Sequence, residues 1–437
     1  MTERDHKQQG GWLPEQDDLE AWLQGHAERT EDSDAGTRWH PAVQQFHQLV
    51  TSDPTLRMYA TNMIEQVPSS KPYQQRHLHS FEQLLSLVNA VLTTAPEFGE
   101  GSMVTTPMAG ILDWTMGTPA GFAFYRDPRV NEGLKDILNA WCAFLDSEES
   151  LYVLNESDTG WKSDKAQQVV GMNQFAHDPA DPHWGFTSWN DFFTRRFTDG
   201  ERPVAGADDD RIIVSACEST PYKLSTDVQR RDEFWVKSQP YSLEDLLAND
   251  PAVDQFVGGT VYQAFLSATN YHRWHSPVSG TVVRAYVQPG TYFSEADSEG
   301  ADAVEPTASQ GYLAHVASRA IILIEADNPA IGLVAVVPVG MVEVSSCLIG
   351  EHVVPGRHLE KGDELGYFQF GGSTECVIFR PGAVESFALQ AIPQTSVSPV
   401  QVRSHLATAP AGTADGLGGA VAVQGWAADS AENEVLA

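Results

Sequence analysis

The sequence contains few cysteines for its length. Its 437 residues include four, at positions Cys142, Cys217, Cys347 and Cys376. No two of them form a Cys-x-x-Cys pair, which argues against a disulfide framework and against a thiolate zinc site. Such scattered thiols are typical of proteins from a reducing compartment. We therefore expect a cytoplasmic protein without a disulfide scaffold and without a bound metal.

Basic residues are scarce as well. The chain has 27 Lys and Arg residues against 59 Asp and Glu residues, for a formal net charge of -32. Such a chain repels the phosphates of nucleic acids and the anionic surface of a cytoplasmic membrane. The charge therefore argues against nucleic acid as a partner. It indicates a strongly solvated surface, with adaptation to a salty cytoplasm left open.

Long apolar runs are also missing. The longest apolar stretch, residues 331–344, is too short to span a bilayer and is interrupted by Gly332, Pro338 and Gly340. The N-terminus begins Met-Thr-Glu-Arg-Asp-His-Lys and lacks the apolar core of a signal peptide. We expect no integral membrane segment.

The change in residue pattern along the chain predicts an α+β fold. Residues 1–40, rich in polar residues, predict a partly ordered N-terminal arm, and residues 41–165 have the periodicity of a helical accessory domain. Residues 166–407 predict a mainly β domain with a sandwich-like or barrel-like core, because short β-type runs there are separated by Gly, Pro, Asn and Asp. The Ala- and Gly-rich residues 408–437 predict a disordered tail.

Two helices of the accessory domain can be placed individually. Ser80 and Gln83 form a potential capping box before the first, and Pro96 is expected to end it. Its apolar face would consist of Phe81, Leu84, Leu85, Val88, Leu92 and Ala95. The face of the second, after Asn131, would consist of Leu134, Ile137, Leu138, Trp141 and Leu145. Such stripes are far more often core than ligand pocket.

The β pattern by itself also fits a carrier or binding module. Short strand-like segments occur at 211–215, 280–287, 319–325 and 332–344. Residues 275–290 and 350–366 each have a strand-turn pattern, and together they could be two halves of a small β-sandwich or barrel with tight Gly turns. Biotin and lipoyl carriers have similar sequence motifs, but they require a Lys at a hairpin tip to hold the cofactor. The corresponding apex here has none, and Lys361 lies in a Lys-Gly-Asp turn that we interpret as structural.

The Gly-Gly-Ser-Thr corner at residues 371–374 has the composition of a self-cleavage site. The hydroxyl of Ser373 can attack the carbonyl of Gly372 if that peptide is held under strain, because Gly372 has no side chain to block the approach and tolerates unusual dihedrals. The product would be an ester. Elimination from this ester would convert Ser373 into a pyruvoyl group.

Two histidines and one carboxylate are candidates for the accompanying proton transfers. His272 and His275 lie three residues apart and, taken alone, fit ordinary polar positions better than a catalytic pair. A zinc site is weaker still, because no further ligand follows at a suitable spacing. Joined to the serine corner, neutral imidazole is the base best matched to neutral pH, and Glu218 at a predicted strand end could orient it.

Four motifs resemble the phosphatidylserine decarboxylase family of pyruvoyl enzymes. They are Phe-Thr-Ser-Trp-Asn-Asp-Phe-Phe-Thr-Arg-Arg-Phe (186–197), Tyr-His-Arg-Trp-His-Ser-Pro (271–277), Pro-Gly-Thr-Tyr-Phe (289–293) and the run Lys-Gly-Asp-Glu-Leu-Gly-Tyr-Phe-Gln-Phe-Gly-Gly-Ser-Thr (361–374). Their order along the chain is also that of the family. Segments in the first half, including residues 11–13, 81–85 and 120–124, are similar to the soluble L-tryptophan decarboxylase branch of psilocybin biosynthesis.

The resemblance implies specific roles. Ser373 would become the covalent pyruvoyl cofactor and Gly372 the new C-terminus of the larger of two chains, β and α. The resemblance makes His275 the histidine of the self-cleavage triad and His272 the proton carrier in decarboxylation through a Schiff base. Glu218 would fill a position where the family usually has Asp, and one Gly more than usual precedes Ser373.

The substrate is less determined than the reaction. The resemblance implies a carboxy-lyase acting on an amino acid, with an aromatic one such as tryptophan preferred. Trp274, Tyr292 and Phe293 could line its pocket, although core packing is the more common role of such residues. Phosphatidylserine is the alternative substrate, disfavoured because the chain has no evident membrane anchor. An uncleaved β-sandwich binding protein is the non-enzymatic alternative. A pyridoxal enzyme would need a Schiff-base Lys in a phosphate-binding setting, which we do not find.

Overall fold

The computed structural model describes most of the chain, in several segments. The described residues are 24–26, 39–67, 78–99, 106–232, 241–295, 309–341, 343, 346–393 and 398–411. The predicted N-terminal arm and C-terminal tail therefore lie almost wholly outside the described residues, and the prediction that they are poorly ordered stays a prediction.

Six α-helices form the first half of the described chain. They are α1 (Pro41–Ser52), α2 (Pro54–Glu65), α3 (Phe81–Val91), α4 (Pro107–Met116), α5 (Pro119–Phe124) and α6 (Pro128–Leu145). Five of the six begin with proline, whose fixed φ and missing N–H suit the first helical position. Their apolar faces pack into one core, and every residue of α4 is buried.

The predicted faces of two helices are confirmed, whereas two details of the first are wrong. In α6, the five predicted apolar residues are all buried. Helix α3 ends at Val91 rather than continuing to Pro96. The Ser80 Oγ accepts from the Gln83 N–H at 3.1 Å, but the Gln83 side chain accepts from the N–H of His79 at 2.8 Å. The capping box is therefore half formed, with its return bond shifted by one residue.

Short helices connect the helical half to the strands. They are α7 (Asp164–Val170), α8 (Trp189–Phe193), α9 (Leu243–Leu246) and α10 (Gln310–Val316), with 3₁₀ turns at Glu148–Val153, Met172–Gln174, Val253–Gln255 and Leu389–Ala391.

Thirteen strands lie in the second half of the described chain. They are β1 (Ile212–Val214), β2 (Thr220–Thr226), β3 (Thr260–Leu266), β4 (Arg273–His275), β5 (Gly280–Gln288), β6 (Arg319–Ala326), β7 (Leu333–Gly340), β8 (Ser346–Ile349), β9 (His358–Leu359), β10 (Glu364–Gln369), β11 (Ser373–Phe379), β12 (Ser386–Phe387) and β13 (His405–Thr408). The four strand-like segments predicted from sequence correspond to β1, β5, β6 and β7.

The strands form three antiparallel sheets. The largest has the order β2-β3-β11-β7-β6-β5-β9, and the two smaller sheets have the orders β4-β10-β8 and β1-β13-β12. The α+β class is thereby confirmed. In the described residues the large sheet stays open, with β2 and β9 at its edges, so the core resembles a sandwich and does not close into a barrel.

Strand β11 separates two cores. Side chains alternate between the faces of a strand, and in β11 Cys376 and Ile378 belong to the core shared with the helices. Val377 and Phe379 belong to the opposite core, which the smaller sheets cover. By the same alternation, Ser373 and Glu375 lie on the face toward the smaller sheets.

Lys361 has the structural role predicted for it. Its Nζ donates to the carbonyl oxygens of Gly206, Asp209 and Ile212 at 2.5, 2.7 and 3.0 Å. An ammonium group that donates to three backbone carbonyls holds loops together. The cofactor lysine of a carrier instead lies at the tip of a hairpin.

Candidate active site

Ser373 begins the central strand of the large sheet. In register it lies opposite Leu266 of β3 on one side and Gly340 of β7 on the other. Its side chain is fully buried, and its Oγ has no hydrogen-bond partner among the described residues. The hydroxyl of the next residue, Thr374, donates to the Ala264 carbonyl at 2.9 Å. Burying a hydroxyl without a hydrogen-bond partner costs free energy. Ser373 bears this cost, whereas the neighbouring Thr374 does not.

The peptide before Ser373 is held in a specific conformation. Gly371 has φ of 132°, a region that side chains strongly disfavour. The unusual dihedral expected at Gly372 is therefore found one residue earlier, at Gly371, the first glycine of the corner. The Gly372 carbonyl oxygen accepts a hydrogen bond from the Met341 N–H at 3.1 Å. The carbonyl that Ser373 would attack is thus fixed by a backbone donor.

His272 has a buried imidazole whose two nitrogens meet no hydrogen-bond geometry with a described residue. Its ring is fully buried and stacks on Phe193, with centroids 4.1 Å apart. Neither ring nitrogen meets a hydrogen-bond partner within the described segments. Burial lowers the pKa of His272 to about 3, and the positive charge of Arg195 acts in the same direction, against a smaller opposing effect of the Asn270 backbone. His272 is therefore neutral at neutral pH.

Short connections bring His272 and Ser373 to the same end of the fold. The His272 carbonyl accepts from the Phe368 N–H at 3.0 Å, and Phe368 precedes Ser373 by five residues. On the other side, Leu266, the register partner of Ser373, precedes His272 by six residues. Phe193 joins the two segments, because it stacks on His272 and also packs against Phe370, with centroids 5.1 Å apart.

His275 has other partners in this structure. Its Nδ1–H donates to the Gly362 carbonyl at 2.8 Å, which leaves Nε2 to accept from the Tyr271 hydroxyl at 2.9 Å. Burial lowers the pKa of His275 to about 3, and Arg403 contributes in the same direction. His275 forms no hydrogen bond with Ser373 here, and its self-cleavage role stays a prediction.

Glu218 is held by an arginine rather than by a histidine. Arg202 contacts it with two nitrogens, at 3.0 Å from Nε to Oε2 and 2.7 Å from Nη2 to Oε1. The Val402 N–H donates to Oε2 at 2.9 Å. The three residues predicted to form a self-cleavage triad are thus not joined by hydrogen bonds here, and the orienting role of Glu218 likewise stays a prediction.

Two buried carboxyl groups near the serine corner were not predicted from the sequence. Glu375 is fully buried two residues after Ser373 on the same strand face, and its Oε1 accepts from the Ser219 hydroxyl at 2.7 Å. Glu343 is 1% exposed and lies three residues after Gly340, the register partner of Ser373. The Ser-x-Glu spacing in a strand was a signal for Glu375. No local signal marked Glu343, since only the fold buries it.

The described part of the chain contains neither a metal-binding cluster nor a membrane-spanning helix. It contains no group of three or more His, Cys, Asp or Glu side chains that could hold a metal ion. None of its helices has both the length and the apolar character needed to cross a bilayer.

Two family models match the sequence, and both describe phosphatidylserine decarboxylase. One covers residues 40–170 and the other residues 189–399. The first match corresponds to the helical half and the second contains the serine corner.

Individual relatives agree with the family models. The L-tryptophan decarboxylase of Psilocybe cubensis is 35% identical over 356 residues, covering 76% of this chain and 78% of the relative. Decarboxylase iboD of Amanita muscaria is 38% identical over 301 residues, covering 64% and 85%. The phosphatidylserine decarboxylase proenzyme of Chlamydia felis is 32% identical over 200 residues, covering 46% and 62%.

These matches, together with the fold, define the class of the protein as a decarboxylase, that is, a carboxy-lyase. The chain belongs to the phosphatidylserine decarboxylase family. The non-enzymatic binding module is thereby displaced as an explanation of the β domain.

Glu375 generates a prediction about pH. Burial raises the pKa of its carboxyl from 4.5 to about 7, against smaller opposing effects of Cys217 and Ser219. Because the folded state holds this proton more tightly than the unfolded state, the associated stability is complete below about pH 4.5 and is lost as pH rises through about 7. We expect Glu375→Gln, which stays neutral, to melt at a higher temperature relative to wild type at pH 8 than at pH 5.

The control for this prediction is Glu149→Gln, which removes one exposed carboxylate and changes the net charge equally. Thermal melting of the three proteins at both pH values is the measurement. An identical pH response of Glu375→Gln and Glu149→Gln would show that the Glu375 carboxyl is not protonated in the folded protein.

Proposed function

We propose that this chain cleaves itself between Gly372 and Ser373 and then decarboxylates a free aromatic amino acid, tryptophan or a close analogue, in the cytoplasm. The observation that carries the proposal is the Ser373 hydroxyl, buried without a hydrogen-bond partner at the start of the central strand. The relatives named L-tryptophan decarboxylase and the family to which the chain belongs support the same chemistry.

The residues of the corner fit a serine-derived pyruvoyl group. Ser373 has an unpaired hydroxyl, the preceding Gly372 carbonyl is fixed by the Met341 N–H, and the surroundings exclude bulk water. A pyruvoyl group supplies a ketone that binds the substrate amine and accepts the electrons released as carbon dioxide leaves. No second cofactor is required for this chemistry.

Self-cleavage follows from the arrangement around Ser373. The Oγ gives up its proton and forms a bond to the Gly372 carbonyl carbon, the Gly372–Ser373 C–N bond breaks, and the Ser373 nitrogen takes a proton. The resulting ester loses the Cα proton of residue 373 and releases the Gly372 carboxylate. The dehydroalanine left at position 373 moves an N–H proton to its Cβ and becomes an imine. Water then hydrolyses this imine to the ketone and releases ammonia. Each step needs a proton carrier beside residue 373.

We propose His272 as that proton carrier. Its pKa of about 3 keeps the imidazole neutral at neutral pH, and its nitrogens lack partners. The resemblance assigns the self-cleavage step to His275 with Glu218. To act in self-cleavage, His275 would have to break the hydrogen bond between its Nε2 and the Tyr271 hydroxyl and form one with the Ser373 hydroxyl instead. The structure therefore favours His272 for both stages.

The two products of cleavage would remain together. Strand β11 begins at Ser373 and pairs along its whole length with β3 and with β7. These pairings connect the smaller α chain, from residue 373 onward, to the β chain that ends at Gly372. A new chain end in the middle of a sheet is thus held in place by its neighbours on both sides.

An aromatic substrate suits the surroundings of the corner. Phe370, three residues before Ser373, packs against Trp141, Trp189 and Phe193. Such a cluster can accept a planar apolar side chain by stacking or edge-to-face contact. The relative from Psilocybe cubensis named above and a further relative, from Psilocybe cyanescens, are L-tryptophan decarboxylases. Phosphatidylserine remains the second candidate, because relatives that match about half of this chain (47% and 46%) are phosphatidylserine decarboxylase proenzymes.

A substrate assay tests the proposed function. We expect purified wild-type protein to appear as two chains by intact mass, the smaller starting at position 373, and to release carbon dioxide from tryptophan faster than from phenylalanine, tyrosine or dispersed phosphatidylserine. Ser373→Ala should remain a single chain without activity, because it has no hydroxyl to attack Gly372. Release of carbon dioxide by Ser373→Ala, or by wild type from the phospholipid alone, would contradict the proposal.

The role of His272 is tested by replacing it. We expect His272→Ala to lower the rate of self-cleavage by about 100-fold or more, the usual worth of a positioned proton carrier. Time courses of cleavage after cell-free synthesis measure this rate. The matched control is His315→Ala, since His315 is also buried but has both ring nitrogens hydrogen-bonded, to Gly311 and Ser242. Normal cleavage by folded His272→Ala, with loss of cleavage in folded His275→Ala, would return the role to His275.

A further inference from the structure

The helical half of the protein contacts the chain immediately before the proposed cleavage site. In α6, the Trp141 ring packs edge-on against Phe370, with centroids 5.1 Å apart. The neighbouring Cys142 Sγ lies 3.5 Å from the Gln369 Oε1. Both contacted residues lie within four positions of Ser373. The approach of the chain to the cleavage site is therefore packed on one side by the helical half.

A second contact reaches the other side of the cleavage site. Helix α4 begins at Pro107, and the side chain of the preceding Thr106 makes no capping hydrogen bond. The carboxyl group of Glu343, from the β half, takes its place: its Oε1 accepts from the Ala109 N–H at 2.8 Å. The first N–H groups of a helix need such an acceptor, and here a residue 234 positions away supplies it.

Glu343 is costly to bury, which suggests a task beyond packing. Its side chain is 1% exposed. Burial raises the pKa of its carboxyl, although the N–H groups of Ala109 and Met108 oppose the rise. Thr106 belongs to a residue type that commonly caps helices, yet its side chain does not cap α4. The arrangement found here instead links α4 to the segment that follows β7.

That segment carries the backbone donor for the cleavage site. Met341, two residues before Glu343, donates its N–H to the Gly372 carbonyl oxygen at 3.1 Å. When the Ser373 Oγ bonds to the Gly372 carbon, the electrons of the carbonyl double bond move to this oxygen. A fixed N–H directed at an oxygen that gains negative charge lowers the barrier to such a step.

We propose that Glu343 is a positioning residue for self-cleavage, which fixes the Met341 N–H against the Gly372 carbonyl oxygen by tying its segment to the start of α4. The helical half then takes part in maturation through this bond as well as through Trp141. The inference rests on the proposed self-cleavage. It adds the source of the fixed donor and a reason for the helical half to be present.

Two substitutions of Glu343 test the proposal in the full-length chain. We expect Glu343→Ala to slow the appearance of the fragment beginning at residue 373 by about tenfold to a hundredfold, the cost of misplacing a group by about 1 Å. Glu343→Gln should cleave at close to the wild-type rate, because its amide oxygen can still accept from Ala109. Cell-free synthesis followed by gel analysis gives the rates, and circular dichroism gives the melting temperatures.

The control separates positioning from general stability. Gln66→Ala removes another side-chain oxygen that caps a helix, at the Ala120 N–H, 2.8 Å away at the start of α5. It should lower the melting temperature without slowing cleavage. If Glu343→Ala does not fold, Glu343→Asp decides, since a carboxyl drawn back by one methylene should slow cleavage in a folded protein.

The outcomes distinguish this inference from the proposed function. A wild-type chain that never cleaves would overturn the proposed function itself. A wild-type chain that cleaves, beside a folded Glu343→Ala or Glu343→Asp that cleaves equally fast, would overturn only the role of Glu343. Slow cleavage by Glu343→Gln, equal to that of Glu343→Ala, would also count against capping of α4 as its basis.

Discussion

The strand pairing that fixes Ser373 is the constraint on which the rest of the arrangement depends. Strand β11 is buried along its whole length and is hydrogen-bonded on both sides, to β3 and to β7. Its first residue therefore has little freedom to move away from the preceding carbonyl. A hydroxyl placed there, without a partner of its own, stays beside the Gly372 peptide. The sheet supplies the rigidity that a nucleophile in a flexible loop would lack.

The helical half and the β half of the protein meet beside the proposed cleavage site. The β half provides Ser373, His272 and the Met341 donor. The helical half packs Trp141 on Phe370 and receives the Glu343 carboxyl at the start of α4. Both halves also match phosphatidylserine decarboxylase family models, over residues 40–170 and 189–399. A site assembled from both halves is a physical reason for them to occur together.

Local features of the fold could be predicted from the sequence because they depend on neighbours in the chain. The helical stripe of α6, the strands β5 and β6, and the serine corner were all visible as patterns. What could not be predicted depends on distant partners. Tyr271 and Gly362 occupy the nitrogens of His275, and Arg202 takes Glu218, since buried groups pair with whatever the fold brings near. Glu343 had no local signal, because its partner lies in another half of the chain.

Reductive trapping of the substrate tests the central claim most directly. Wild-type protein would be incubated with tryptophan and sodium cyanoborohydride, and its chains separated and weighed by mass spectrometry. The account predicts that the covalent mass gain falls on the chain beginning at position 373, since that residue carries the ketone. A mass gain on the chain ending at Gly372, or decarboxylation by a chain that remains whole, would contradict it.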